Sequence, residues 1–139
     1  MSYEEKGVWA YLISSAGAYV IYLAIVLPRL GHTPAAQVSY VAPLLWSTGA
    51  SILISLVVRT ALETARPSEN RRADVRDREI ARFGEHASRW FVIAGASAGF
   101  LMALDEWDYF WIANVIYLGF VLWAVVGSVL RLVAYRRGM

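Results

Sequence analysis

Four long apolar runs, almost free of charge, constrain the fold of this chain more than any other feature. They cover residues 8–27, 40–58, 87–104 and 109–130. The only charged side chain inside them is Arg89, near the start of the third run. A helix needs roughly 20 such residues to cross the hydrocarbon core of a bilayer. The runs are too long for barrel strands and do not alternate, so the sequence predicts an all-α, four-helix transmembrane bundle, a single domain over residues 1–139.

The composition agrees with this interpretation. Apolar residues make up 58% of the chain and charged residues 17%, whereas soluble domains average about 45–50% and about 25%. The chain contains no cysteine, which excludes disulfides, thiol catalysis and thiolate metal sites. The formal net charge of +2 gives no indication of nucleic acid binding.

Basic residues are distributed very unequally between the two sides of the predicted bundle. With four crossings, both termini and the long connection 59–86 share one side. That side carries twelve of the thirteen basic residues, and the other side carries only Arg29. Because basic residues concentrate on the cytoplasmic side, the sequence predicts a multi-pass plasma membrane protein with both termini in the cytoplasm.

The connection 59–86 is the most charged stretch of the chain. Helical spacing of its apolar residues predicts an amphipathic helix that starts at Asp74, lies on the inner surface and turns into the membrane at or near Gly84. Its candidate interaction residues are Arg71, Arg72, Arg76 and Asp77. Arginines there would meet anionic lipid headgroups or a protein partner. The alternative is a solvated linker that only sets the topology.

Three carboxylates separate the third and fourth runs, at Asp105, Glu106 and Asp108. We interpret them as a solvated external turn, with Asp108 as the N-cap whose side chain accepts from the first free amides of the fourth helix. The alternative is a cation site, because hard cations prefer clustered oxygen ligands.

No carboxylate falls near the predicted bilayer centre. Small multidrug transporters are also short four-helix chains, but they depend on a glutamate in the first span. Here that span carries Ser14, Ser15, Tyr19 and Tyr22 instead. His32 and His86 are predicted on opposite sides, so they cannot share a haem iron. We therefore expect no catalytic residues, no metal and no cofactor.

The polar side chains inside the runs form one candidate face. Asn114 and Tyr117 are three residues apart and share a helix face, and Ser51 and Ser55 are the candidates on the second run. Hydrogen bonding between helices is the favoured interpretation, with a ligand-binding or pore-lining role as the alternative.

The third run contains the best packing signal. Gly95 and Gly99 have GxxxG spacing, which lets helix backbones approach closely. The sequence leaves open whether this stripe packs within the chain or between two chains.

The segment "DVRDREIARFGE", the acid-aromatic turn and the tail "LRLVAYRRG" together resemble an uncharacterised family of small bacterial inner-membrane proteins. The match covers roughly the C-terminal half and includes Asp74, Arg76, Asp77 and Glu79, with Val75 where that family carries Glu. The resemblance implies a bacterial membrane protein and no particular activity.

The sequence therefore predicts a non-enzymatic membrane protein that acts through association. The expected partners are membrane lipids, a second copy of the chain, or a cytoplasmic or membrane protein. The alternative is a transporter or channel subunit whose pore forms by oligomerisation.

Overall fold

The computed structural model describes the chain over residues 3–65 and 71–138, and its side chains over 4–61 and 75–138. These residues form four α-helices and a short 3₁₀ helix, Ala35–Gln37. The α-helices are α1, Tyr3–His32; α2, Val41–Ala65; α3, Arg71–Leu104; and α4, Tyr109–Arg136. Within the described residues, all four α-helices are long and apolar enough to cross a membrane. The prediction of an all-α chain with four such helices is confirmed.

The helices form two antiparallel pairs, α1 with α2 and α3 with α4, joined where α1 packs against α4. This antiparallel order brings the start of α1, the end of α2 and the end of α4 together. We call this the basic end, because Lys6, Arg59, Arg131 and Arg136 lie there. The opposite end holds the α1–α2 connection and the three-carboxylate turn.

The apolar core lies toward the opposite end, between α1, the α1–α2 connection and α4. Tyr22, Val26, Val38 and Phe110 are its buried members. Ile80 and Leu132 are also buried, but many other large apolar side chains point outward; Trp46 on α2, for example, is 78% exposed. A surface this apolar is typical of helices that an apolar environment surrounds.

Two predicted helix boundaries are wrong. The first apolar run covers residues 8–27 and stops before Pro28, which predicts a helix end there, but α1 continues through Pro28 to His32. Proline removes one backbone hydrogen bond, and two contacts beyond it offset that loss. Leu30 packs on the core, and the Arg29 guanidinium donates to the Ser39 carbonyl at 2.7 Å.

The predicted turn at Gly84 is also wrong, since α3 runs without interruption from Arg71 to Leu104. A Cβ at Gly84 would lie 2.6 Å from Arg131 Cγ and 2.9 Å from the Gly127 carbonyl oxygen. Gly84 therefore provides close approach to α4 instead of a change of direction. Pro67, Ser68 and Asn70 in the sequence predict a break between the second run and this helix, and these residues lie outside the described part of the chain.

Candidate functional site

A group of hydrogen-bonded polar side chains, which we call the polar cluster, connects α1, α2 and α4. It consists of Tyr22, Ser47, Asn114 and Tyr117. The Tyr22 hydroxyl donates to Asn114 Oδ1 at 2.5 Å, and Asn114 Nδ2 donates to the Phe110 carbonyl at 2.7 Å. Asn114 thus has a partner on α1 and one on its own helix, so its amide is satisfied.

Tyr117 links the cluster to α2. Its hydroxyl lies 2.8 Å from Ser47 Oγ, and its ring meets those of Tyr19 and Tyr22 edge to face at 5.4 and 5.1 Å. Edge-to-face aromatic pairs add about 0.5–1.5 kcal/mol beyond the area they bury. The sequence placed Asn114 against another helix without naming its partner. Tyr22, which is fully buried, is that partner.

The other two predicted members of the polar face lie elsewhere. Ser55 Oγ is 3.2 Å from Ser14 Oγ on α1, and this pair lies nearer the basic end than the polar cluster does. Ser51 lines a cavity between the helices. Tyr117 lines the same cavity as Ser51, and Ser55 lines the adjoining cavity. Three of the four predicted residues therefore lie along one cleft, whereas Asn114 is not among its lining residues.

The first of these cavities lies between α1, α2 and α4 and is one half of a larger cleft, which we call the lateral cleft. Its apolar chamber has a volume of about 580 Å³ and is lined by side chains such as Leu44, Ile52, Ile116 and Phe120. Ile52 and Phe120 remain 57% and 48% exposed, so the chamber is open at the side of the molecule. Thr48 also lines it, and its Oγ1 is buried with no hydrogen-bond partner among the described residues.

The second half of the lateral cleft, its charged chamber, has a volume of about 560 Å³ and lies at the basic end. Tyr11, Trp123 and Ala124 line both chambers, so the two adjoin. Four charged side chains line this chamber: Glu4, Arg59, Glu85 and Arg131. The lateral cleft therefore changes from apolar to charged along its length.

Arg131 sits where α4 passes Gly84. An ideal Cβ at Gly84 would be 3.0 Å from Arg131 Nε, so the arginine occupies the space that the missing side chain leaves. Its Nε is buried and has no hydrogen-bond partner among the described residues. A buried donor without an acceptor costs roughly 1–3 kcal/mol. In the sequence, Arg131 contributes only to the unequal distribution of basic residues, because the spacing of residues does not reveal that α3 packs against it.

The two predicted packing glycines pack within the chain. A Cβ at Gly95 would lie 2.9 Å from Gly119 Cα, and one at Gly99 would lie 2.7 Å from Ile116 Cγ1. Both neighbours belong to α4. Of the two alternatives that the sequence left open, the structure shows the contact between α3 and α4 of one chain.

The candidate interaction residues on the connection lie at the start of α3. Asp77 Oδ1 accepts from the Tyr135 hydroxyl at 2.6 Å. Arg76 donates to the Tyr135 carbonyl at 3.1 Å, and its guanidinium lies 5.5 Å from the centre of the Tyr135 ring. Arg76 and Asp77 thus tie α3 to the end of α4. Arg71 and Arg72 lie in the first turn of α3, and their side chains are outside the described part.

The turn between α3 and α4 is exposed at Asp105, Glu106 and Asp108. Asp108 occupies the N-cap position of α4, but its side chain makes no capping hydrogen bond, so that part of the prediction is wrong. The carboxylate that has a partner is Asp105, whose Oδ2 accepts from Trp107 Nε1 at 2.9 Å. Among the described residues, no group of three or more His, Asp or Glu side chains could hold a metal ion. The cation-site alternative for this turn is therefore not supported.

The described chain is thus an all-α protein with four helices of membrane-spanning length. Its cleft has an apolar chamber between α1, α2 and α4 and a charged chamber that all four helices line. No family model matches this chain, and neither a curated protein nor a solved structure does. The resemblance of its C-terminal half to small bacterial membrane proteins stays a prediction.

Proposed function

We propose that this chain is a multi-pass protein of the bacterial plasma membrane, with both termini in the cytoplasm. Four apolar helices of sufficient length and the excess of basic residues at one end support this location and orientation. The chain has no cysteine, so single cysteines at positions 72 and 106 can be labelled selectively. We expect a membrane-impermeant maleimide to label position 106 in intact spheroplasts and position 72 only after lysis. The reverse pattern would overturn the orientation.

Within the membrane, we propose that the protein acts without catalysis, by binding other membrane components. The lateral cleft is the observation that carries this proposal. In a bilayer, an apolar chamber that opens at the side must be filled by acyl chains or by another helix, because empty space there loses dispersion contacts. The lateral cleft therefore provides a surface on which an acyl chain or another helix can bind.

The mass of the purified protein in nanodiscs, with identification of any small molecule that stays bound, tests this binding role. We expect a defined oligomer or a retained lipid. Neutral substitutions at Arg71, Arg72 and Arg76 should weaken any contact with a cytoplasmic partner and leave membrane insertion unchanged. A monomer free of lipid and of any partner would contradict the proposal.

A transporter or channel subunit with an oligomeric pore is the second candidate. Thr48 and Ser51 in the lateral cleft, with Thr48 Oγ1 unpartnered among the described residues, favour it. Asn114 and Tyr117 argue against it, since both already bond within the chain. If the protein is a pore, proteoliposomes should show solute flux that Asn114→Leu changes. If it is a binding protein, proteoliposomes should show no solute flux, either with the original chain or with the Asn114→Leu variant.

A further inference from the structure

We propose that the lateral cleft binds one phosphate-bearing membrane lipid, with its headgroup beside Arg131 in the charged chamber and one acyl chain in the apolar chamber. The inference rests on the proposed membrane function and names the ligand of the cleft. The inference is based on the lining of the lateral cleft, which opens at the side of the molecule and changes from apolar side chains in one chamber to charged side chains in the other. A phospholipid has the same arrangement along its own length.

The dimensions of the cleft agree with one lipid chain. Arg131 and Ile116 line opposite parts of it. At about 1.5 Å per residue, the rise along α4 between them is roughly 22 Å. One leaflet of the hydrocarbon core is roughly 15 Å thick, half of about 30 Å. Within that length the apolar chamber runs along α4 from Ala113 to Ala124, roughly 16 Å at the same rise, which is long enough for an acyl chain that starts at the inner interface.

Arg131 gives the charged chamber its preference for phosphate. Its Cγ and Nε lie close to Gly84, where α4 passes α3, and its side chain lines the charged chamber. Arginine forms bidentate hydrogen bonds with phosphate oxygens. A phosphate in the chamber would supply acceptors to this guanidinium, and its charge would be complementary.

The chamber also contains carboxylates, so it is not simply a basic patch. Glu4 and Glu85 line it together with Arg59 and Arg131, and Glu4 and Arg59 each have further interactions within the protein. This mixture disfavours a small free anion, which would be attracted by charge alone. The acyl chain fills the apolar chamber and restores the dispersion contacts that empty space would lose, and the arginine selects the headgroup.

The test uses the full chain, purified in detergent and freed of bound lipid. Each lipid probe is then titrated into the protein, and native mass spectrometry counts the lipid molecules bound per chain. The probes are phosphatidylglycerol and diacylglycerol with the same acyl chains, with inorganic phosphate as a competitor. We expect one phosphatidylglycerol per chain and at least tenfold weaker binding of diacylglycerol, since a hydrogen bond to a charged group corresponds to about that factor. Equal binding of the two lipids would overturn the proposal, and so would displacement of phosphatidylglycerol by millimolar phosphate.

Two pairs of variants assign the binding to the cleft. Arg131→Gln should abolish the preference for phosphatidylglycerol, whereas Arg136→Gln, at an exposed position of the same helix, should keep it. Ser51→Phe should fill the apolar chamber and weaken the binding of both lipids about tenfold. Leu53→Phe, on the exposed face of α2, should leave the binding of both lipids unchanged. The second pair decides the question if Arg131→Gln fails to fold. Equal effects within either pair would overturn the assignment.

The outcome can be separated from the proposed function. If the labelling pattern holds and the protein forms a defined oligomer, but no lipid preference depends on Arg131, only this inference fails. If the chain does not insert into membranes, both fail.

Discussion

The α3–α4 pair and the junction of α1 and α2 with α4 are held by different kinds of contact. Between α3 and α4 the backbones approach so closely that a Cβ at Gly95 would meet Gly119 Cα at 2.9 Å. Serines at this interface bond to their own helix, as Ser88 Oγ does to the Gly84 carbonyl at 2.6 Å. At the junction, larger side chains hold the helices together through the polar cluster, and the lateral cleft remains beside it.

This difference separates a closely packed helix pair from a junction that leaves space between its helices. Helices inside a bilayer gain little from the hydrophobic effect, so they associate by backbone packing or by hydrogen bonds between side chains. Backbone packing leaves no space for a ligand. Side-chain hydrogen bonds hold helices further apart at a few points, and the space between those points can be occupied.

The largest effect is expected at the glycine contact. Gly95→Leu should destabilise the protein by about 3 kcal/mol, at the upper end for overpacking, because the opposing atom is backbone and cannot move aside. Unfolding in detergent, followed by circular dichroism, measures this. The control is Gly17→Leu, since a Cβ at Gly17 has nothing within 4 Å. Equal stability of the two variants would contradict the role of close approach.

A smaller effect is expected in the polar cluster. Tyr22→Phe removes the hydrogen bond to Asn114 and should lower the free energy of unfolding by about 1 kcal/mol. Tyr109→Phe, at a position that is 83% exposed, is the control. A double-mutant cycle of Tyr22→Phe with Asn114→Leu should give a coupling energy of roughly 0.6 kcal/mol, the average for such bonds in membranes. Zero coupling would show that the cluster does not hold α1 to α4.

The turn that connects α3 with α4 offers a stabilising change. Glu106 has a φ of 58°, in the left-handed region that costs a residue with a Cβ roughly 1–2 kcal/mol. The Trp107 amide donates to the Met102 carbonyl and the Glu106 amide to the Ala103 carbonyl, which is the hydrogen-bond pattern of a Schellman motif. Glu106→Gly should therefore raise the free energy of unfolding by about 0.7 kcal/mol, after the entropy cost of glycine. Glu106→Ala serves as the control and should give no such gain.

The smallest effect is expected at the pair that joins α1 to α2 near the basic end. Ser55→Ala removes the contact with Ser14, a distance of 3.2 Å, and should cost about 0.5 kcal/mol. Flux and lipid binding should stay unchanged if Ser55 only joins helices. Ser55 lines the charged chamber, so a change in lipid binding as large as that of Ser51→Phe would show that it contacts the bound lipid as well as joining the helices.

Much of the fold could be predicted because it depends on local chemistry. The uncharged length of each run sufficed to predict four helices, since a backbone in an apolar environment must satisfy its own hydrogen bonds. The spacing of Gly95 and Gly99 was enough to indicate a packing stripe. The acidic turn was correctly placed as well, because charges at Asp105 and Asp108 interrupt two apolar runs.

Other features could not be predicted because they depend on which helices become neighbours. Nothing local distinguishes Tyr22 from Tyr19, yet only the approach of α4 pairs Tyr22 with Asn114. Gly84 looks like a turn in the sequence and is a contact with Arg131 in the structure. The continuation of α1 past Pro28 likewise depends on the core that Leu30 joins.

The sequence by itself determined the number of helices, their apolar character and the unequal distribution of charge, because these follow from the solvation of each segment separately. Only the tertiary structure decided that α1 and α2 leave a cleft beside α4, and that Arg131 lies at its charged end. Both depend on distances between residues far apart in the chain, which no spacing along the sequence encodes.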